Sequence, residues 1–366
     1  MPHTPLDRAY HWEKTTPDRV YLTQPIGGGR AQTFTWRQSL DEARRMAAHL
    51  RTLGFPAGSR IAILTKNSAH FILADLAIWM AGHVSVAIYP TLGAAGVRQI
   101  LDHSGSRLLF VGKIDHWDTV EEGLREGMPV VALGLSRARD VPQWSDIIAQ
   151  HDPVVGNPSR DPAELAILVY TSGSTGVPKG VMHSFATLMH GPRALQPILQ
   201  ITPQDRMISY LPLAHVFERA SVEMGSLEYG FQVFFTESLE TFLTDLKRAR
   251  PTFFVSVPRL WLRFQMGDHV KMPRFAGLAE NIQHLDGQLR AAFIGATALG
   301  GGDVVQVQTK QDRQTERPFG PQRKPHDHAQ HHPAMSPVGD RLAATGDQRI
   351  MVHAHAKHLQ AAFAGQ

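Results

Sequence analysis

The run ELAILVY, Glu164 to Tyr170, constrains the fold more than any other segment of this chain. Its apolar residues follow one another without polar alternation, the pattern of a strand buried on both faces, and such strands belong to parallel sheets covered by helices on either side. The strand runs directly into TSGSTGVPKG, Thr171 to Gly180, which holds three glycines, four Ser or Thr residues and one lysine. Small residues let backbone N–H groups come close to a ligand, hydroxyls add further donors, and Lys179 adds a mobile positive charge. That combination suits a polyphosphate. A flexible Ser/Gly linker has similar composition, but a linker needs neither a buried strand before it nor a lone lysine at its end.

The segments upstream agree with an α/β protein. Between about Phe34 and Val111, LDEARRMAAHLRTLG gives way to RIAIL, and LADLAIWMAG to HVSVAIYP, so that helical periodicity alternates with short apolar runs. Gly54 and Gly82 fall where the helices should stop, and Pro90 where a strand should end. A further strand, RLLFVG, is expected from Arg107. The most membrane-like stretch, Phe71 to Pro90, is interrupted by Asp75, Gly82 and His83, and reads as a buried helix followed by a strand. From Lys113 to Pro162, prolines at 129, 142, 153, 158 and 162 predict surface excursions and a connector. After the glycine loop, VMHSFATLMH is expected to be helical.

Composition narrows the chemistry. A chain of 366 residues with 43% hydrophobic content can bury a sizeable core, as one large domain or two. The absence of cysteine excludes disulfides, thiolate metal sites and a cysteine nucleophile, so any metal must use oxygen or imidazole. The formal charge of +4 is spread along the chain without a basic run, so no nucleic-acid surface is expected. No apolar signal core lies in MPHTPLDRAYHWEKTTPDR, and a cytoplasmic setting follows as the expectation. Beyond Gln265 the pattern changes: nine of the 20 histidines lie there, with almost no apolar periodicity and little packed structure expected. His326, His328, His331 and His332 have a metal-like spacing but no apolar framework to orient them, and read as part of a non-functional tail.

Strand, glycine loop and lysine are also the parts of a Walker A P-loop. That motif needs Gly immediately before the lysine and Ser or Thr immediately after it, whereas Lys179 lies between Pro178 and Gly180. A generic P-loop NTPase is therefore disfavoured. YTSGSTGVPKG instead resembles the signature loop of the adenylate-forming superfamily, which includes acyl-CoA synthetases, luciferases and peptide-synthetase adenylation domains. FTWRQSL (Phe34 to Leu40), MAGHVSVAIYPT (Met80 to Thr91) and DRMISYLPLAHVFER (Asp205 to Arg219) resemble further core segments in that family's order. Together with FTESLETFLTDLKRARPTFFVSVPRLWLRFQ (Phe235 to Gln265), the last looks like the long-chain fatty acid CoA ligase branch.

The resemblance implies an N-terminal adenylation domain of α/β class, with sheets flanked by helices, over residues 1–265. It further implies that residues 266–366 are an unmatched tail, frameshifted or disordered, and that the fold is incomplete, with the small C-terminal domain absent. The implied substrates are a fatty acid, ATP with Mg2+, and CoA, and the implied setting is the cytoplasm with peripheral contact at the inner face of a membrane. By the same resemblance Thr171, Ser172, Gly173, Ser174, Thr175 and Gly176 close over the ATP phosphates, Thr171 lies beside the magnesium ion, and Lys179 neutralises the departing pyrophosphate. His215 and Phe217 are placed at the acyl pocket, although a lone histidine is as readily a hydrogen-bonded core residue. Phe217, Phe253 and Phe254 read either as a tunnel lining or as plain core.

Several of the family's later motifs find no counterpart. AATGDQR, with Thr345, Gly346 and Asp347, matches the ribose-binding motif by letters but lacks a preceding strand. No Tyr-Gly-x-Thr-Glu segment follows Gln265, so a shifted reading frame or a fusion near that residue is one expectation. A catalytically inactive remnant that binds nucleotide, acyl chain or a partner is the other reading.

Overall fold

A computed structural model of the chain describes residues 3–171, 179–256, 290–293 and 306–307. Helix α1 (Pro5–Thr15) opens with a capping box between Thr4 and Asp7, and α2 (Trp36–Thr52) with another between Thr35 and Gln38. Between them lie β1 (Val20–Pro25) and β2 (Ala31–Thr35). The expected alternation then unfolds as β3 (Arg60–Leu64), α3 (Ala69–Met80), β4 (Val84–Ile88), α4 (Ala94–Ser104) and β5 (Leu108–Val111). Gly54 and Gly82 follow the ends of α2 and α3 with φ of 66° and 88°, the left-handed backbone that lets a chain leave a helix without a side-chain clash. The buried strand runs as read, from Leu165 to Thr171.

Two expectations are corrected. The proline-rich stretch from Lys113 to Pro162 is more than surface excursion: it contributes α5 (Trp117–Glu122), β6 (Val130–Ala132), which joins the sheet, and α6 (Trp144–Gln150) before β7 (Leu165–Thr171). The segment after the glycine loop is a strand first, β8 (Lys179–Ser184), hydrogen-bonded antiparallel to β7. Helix begins only at Phe185, where the Ser184 hydroxyl accepts the Thr187 N–H and caps α7 (Phe185–Leu188). Pairing with the full length of β7 outweighs the helical periodicity of VMHSFATLMH, and leaves Val181 and Met182 exposed on the outer strand.

The remaining elements are α8 (His190–Leu199), β9 (Arg206–Ser209), α9 (Val216–Glu218), a π-helical turn at Arg219–Met224, α10 (Gly225–Tyr229), β10 (Gln232–Phe235), α11 (Phe242–Ala249) and β11 (Phe253–Ser256). Short strands β12 (Arg290–Phe293) and β13 (Gln306–Val307) pair beside β11. The tail histidines and AATGDQR lie outside the described residues. The main sheet has the order β6-β5-β3-β4-β7-β8, parallel except for β8. A second sheet, β2-β1-β10-β9, is parallel except for β2.

Helix α3 packs its apolar residues on one face of the main sheet, with Ile61 and Ile63, whereas α4 packs on the other, with Ala62 and Leu64. The chain therefore leaves the carboxyl ends of the neighbouring strands β3 and β4 in opposite directions, which opens a crevice between them. Among the described residues no helix is long and apolar enough to cross a membrane.

Close packing around α1 supplies one prediction. Gly230 ends α10 at φ 72°, and a Cβ there would lie 2.6 Å from the Trp12 ring. The Trp12 indole is fixed by its own hydrogen bond to the Leu227 carbonyl at 2.8 Å. Gly230→Ala is expected to cost about 2–4 kcal/mol, the sum of left-handed strain and overpacking. An unchanged urea midpoint for this variant would mean that α1 does not pack there.

Candidate active site

The glycine loop joins β7 to β8, and the structure describes its two ends. Thr171 is the last residue of β7 and Lys179 the first of β8, and they are Cα partners in the ladder. The hairpin thus sets the two ends of the phosphate loop across from each other at the carboxyl edge of the main sheet. Lys179 is exposed. Ser172, Gly173, Ser174, Thr175 and Gly176 lie outside the described residues. Below the loop, Tyr170 is buried and its hydroxyl shares a 2.7 Å hydrogen bond with Nδ1 of His103. Its ring fills the place a side chain at Gly180 would need, with the nearest atom 3.2 Å from where the methyl group of an alanine would lie.

A second wall faces the same edge. Strand β9 ends at Ser209, and the turn Tyr210 to His215 follows it. Asn67, in the loop after β3, donates from its Nδ2 to the Ser209 hydroxyl at 2.8 Å and to the Leu211 carbonyl, while its Oδ1 accepts the Leu213 N–H at 2.8 Å. Glu218, fully buried, accepts from the Ser209 hydroxyl and from the Tyr210 N–H, each at 3.0 Å. At the neighbouring strand ends, the Lys113 ammonium after β5 donates to the Glu237 carbonyl after β10. Gln24 on β1 accepts the Ala69 N–H that begins α3, at 2.9 Å. The carboxyl ends of the two sheets are thereby tied together.

His215 caps α9, and its Nδ1 accepts the Phe217 N–H at 3.1 Å, which leaves the proton of the neutral ring on Nε2. The residue is exposed by surface area, yet enough protein surrounds the ring that desolvation lowers its pKa. Phe217 is partly buried and packs against the main core. Phe253 and Phe254 are core residues: Phe253 meets Phe231 edge-on at 5.1 Å between centroids, and Phe254 stacks on Tyr210 at 5.3 Å. Their packing accords with the plain-core reading. No hydrogen bond, ion pair or ring contact among the described residues joins Lys179 to His215. Strand β8 instead senses the segment after α9 electrostatically, through His183, whose imidazole is held down by burial and then by the charge of Arg219.

Among the described residues no three His, Asp or Glu side chains gather as a metal site.

Sequence reasoning missed Asn67, Ser209 and Glu218, since nothing in their spacing announces the contacts they make. Glu218 carries a pH signature: burial, opposed by the hydrogen bonds it accepts, raises its pKa from 4.5 to about 8. An acid whose folded value lies above its unfolded one stabilises the fold below pH 4.5 and loses that contribution as pH climbs to 8. Glu218 is expected to contribute up to about 1.4 kcal/mol per pH unit to the loss of stability across this window, and Glu218→Gln to show a shallower slope than the parent. Urea midpoints at pH 5 and pH 8 for both proteins check it, and equal slopes would remove Glu218 as the cause.

A parallel sheet with helices on both faces, a switch crevice and a hairpin bracketing the glycine loop form the fold seen in the N-terminal domains of adenylate-forming enzymes. The crystal structure of the anthranilate CoA ligase AuaEII in complex with anthranoyl-AMP superposes with a TM-score of 0.67 at 20% identity, covering 80% of this chain and 55% of that one. ATP-bound MatB from Rhodopseudomonas palustris superposes with a TM-score of 0.63 at 19% identity, covering 81% and 60%. The chain belongs to the AMP-binding enzyme family, whose model matches residues 9–315. That match continues past residue 265, where the motifs cease to be legible, and takes in β12 and β13. Among curated relatives, the long-chain-fatty-acid–CoA ligase FadD15 of Mycobacterium bovis is 33% identical over 267 residues, 69% of this chain and 43% of that protein. Fatty acyl-CoA synthetase A of Dictyostelium discoideum is 31% identical over 258 residues, 66% and 39%. The chain spans less than half the length of either.

Proposed function

We propose that this chain performs the activation step of a long-chain fatty acid CoA ligase: a fatty carboxylate attacks the α-phosphate of ATP, giving acyl-AMP and pyrophosphate, and the CoA thiol then displaces AMP. The observation that carries the reading is the β7–β8 hairpin, which sets Thr171 and Lys179 across from each other where the signature loop begins and ends. Transfers at phosphorus are helped chiefly by positioning and by cations and N–H donors around the oxygens. Lys179 supplies a cation, and Ser172 to Gly176 supply donors.

On this reading His215 and Phe217 belong to the wall that meets the acyl substrate, and the protein works in the cytoplasm, touching a membrane only to draw its fatty acid. The alternative reading is a catalytically inactive remnant that binds nucleotide, acyl chain or a partner. The part of the tail beyond the family match reads as frame-shifted sequence, and translating the other two frames of the coding DNA should reveal a Tyr-Gly-x-Thr-Glu segment in one of them.

The deciding experiment is palmitate-dependent exchange of labelled pyrophosphate into ATP by the purified 366-residue chain. Exchange establishes adenylation. A folded chain that binds ATP but catalyses no exchange is a binding module.

A further inference from the structure

We propose that Asn67 is a positioning residue, whose carboxamide clamps the turn bearing His215 over the switch crevice and so sets the shape of the acyl-binding wall. The inference rests on the acyl-activation reading above, and adds to it a residue from the loop after β3.

The geometry is that of a saturated clamp. Asn67 has two N–H donors and one carbonyl oxygen on its side chain, and all are spent on one segment: Ser209 Oγ at 2.8 Å, the Leu211 carbonyl, and the Leu213 N–H at 2.8 Å. An asparagine that satisfies both a carbonyl and an N–H of the same turn fixes its path, much as a paired strand would. Ser209 passes the restraint on, accepting from Asn67 and donating to Glu218 at 3.0 Å. Glu218 in turn takes the Tyr210 N–H, so the turn is gripped from below by its own helix and from the side by Asn67.

The position of Asn67 matters as much as its contacts. It sits in the loop leaving β3, at the strand pair where the chain exits to opposite faces of the sheet, the place where α/β folds bind ligands. Leu213 and His215 are close neighbours in the chain, and the His215 N–H is itself bonded to the Pro212 carbonyl at 2.9 Å. Displacing Leu213 therefore displaces the imidazole.

The test compares the full 366-residue parent with Asn67→Ala, Asn67→Asp and Ser209→Ala, by hydrogen exchange of the 210–217 segment and by equilibrium binding of palmitate and of MgATP. Asn67→Ala should speed exchange at Leu213 about tenfold or more and weaken palmitate binding by a similar factor, with MgATP affinity within about twofold of the parent. Asn67→Asp keeps an acceptor for the Leu213 N–H but loses both donors, and should fall between parent and alanine variant. Ser209→Ala, which breaks only the relay, should loosen Tyr210 and weaken palmitate binding less than Asn67→Ala; it also serves if the alanine variant at 67 does not fold.

Faster exchange with unchanged palmitate binding would overturn the proposal, as would unchanged exchange. An equal loss of palmitate and MgATP binding would overturn it too, since that is the mark of general unfolding. A parent that binds no palmitate at all would overturn the acyl-activation reading and the acyl-wall part of the proposal with it, while the exchange data would still decide whether the clamp exists.

Discussion

Replacing Arg219 by alanine will destabilise the protein by about 3–5 kcal/mol, the largest effect expected of any single substitution outside the hydrophobic core. Arg219, Asp75 and Glu223 are all fully buried. The guanidinium is bonded through Nη2 to Asp75, lies 3.0 Å through Nε from Glu223, and stacks 4.9 Å above the Phe71 ring. Burial, and next the nearby charge of Asp75, push the Glu223 carboxyl well above its usual range. Removing the one cation leaves two buried acids facing each other without compensation. The cluster also pins the π-helical turn to α3, so its loss frees the segment that follows α9. Urea denaturation gives the measurement. The companion variant Asp75→Asn/Arg219→Met/Glu223→Gln, which removes every charge together, should recover much of the loss, and a triple variant no better than Arg219→Ala would show that packing rather than charge is responsible.

Lys179→Ala will lower the rate of pyrophosphate exchange by about 10²–10³-fold, while leaving the urea midpoint within about 0.5 kcal/mol of the parent. The side chain is exposed at the start of β8 and makes no contact that the described fold depends on. On the proposed reading its charge acts on the departing pyrophosphate, so the loss should appear in kcat more than in the KM for the fatty acid. Lys179→Arg keeps the charge on a planar head and should restore only part of the rate. A fall in rate matched by a fall in stability would assign Lys179 a structural role instead.

The sequence made some of this legible and concealed the rest, for identifiable reasons. ELAILVY disclosed a doubly covered strand because burial on both faces leaves a mark in every residue. The glycine loop carried the family resemblance, and the AMP-binding enzyme model matches across it. Asp75 was half legible: a charge within FILADLAIWM argued against a membrane span, but not that the charge would be paired in the core with an arginine from the π-helical turn. Strand β8 was misread because a short edge strand obeys its partner more than its own periodicity. Asn67 and Glu218 were invisible, since their roles come from contacts that only the folded chain brings together, and an isolated asparagine or glutamate carries no sign of them.

The hairpin has a bearing on how the loop can hold its ligand. In a Walker protein the phosphates rest on the first turn of a helix, whose macrodipole is a fixed source of positive potential. Here the chain is already in a β-strand when it leaves the loop at Lys179, and strands carry almost no net dipole. On the proposed reading, attraction for a polyphosphate then comes from the N–H and hydroxyl donors of the loop, from one solvent-facing lysine and from whatever cation the nucleotide brings. Such charges are screened within about 8 Å at physiological ionic strength. On that reading, nucleotide capture should weaken as salt is raised and depend on the magnesium that accompanies the phosphates.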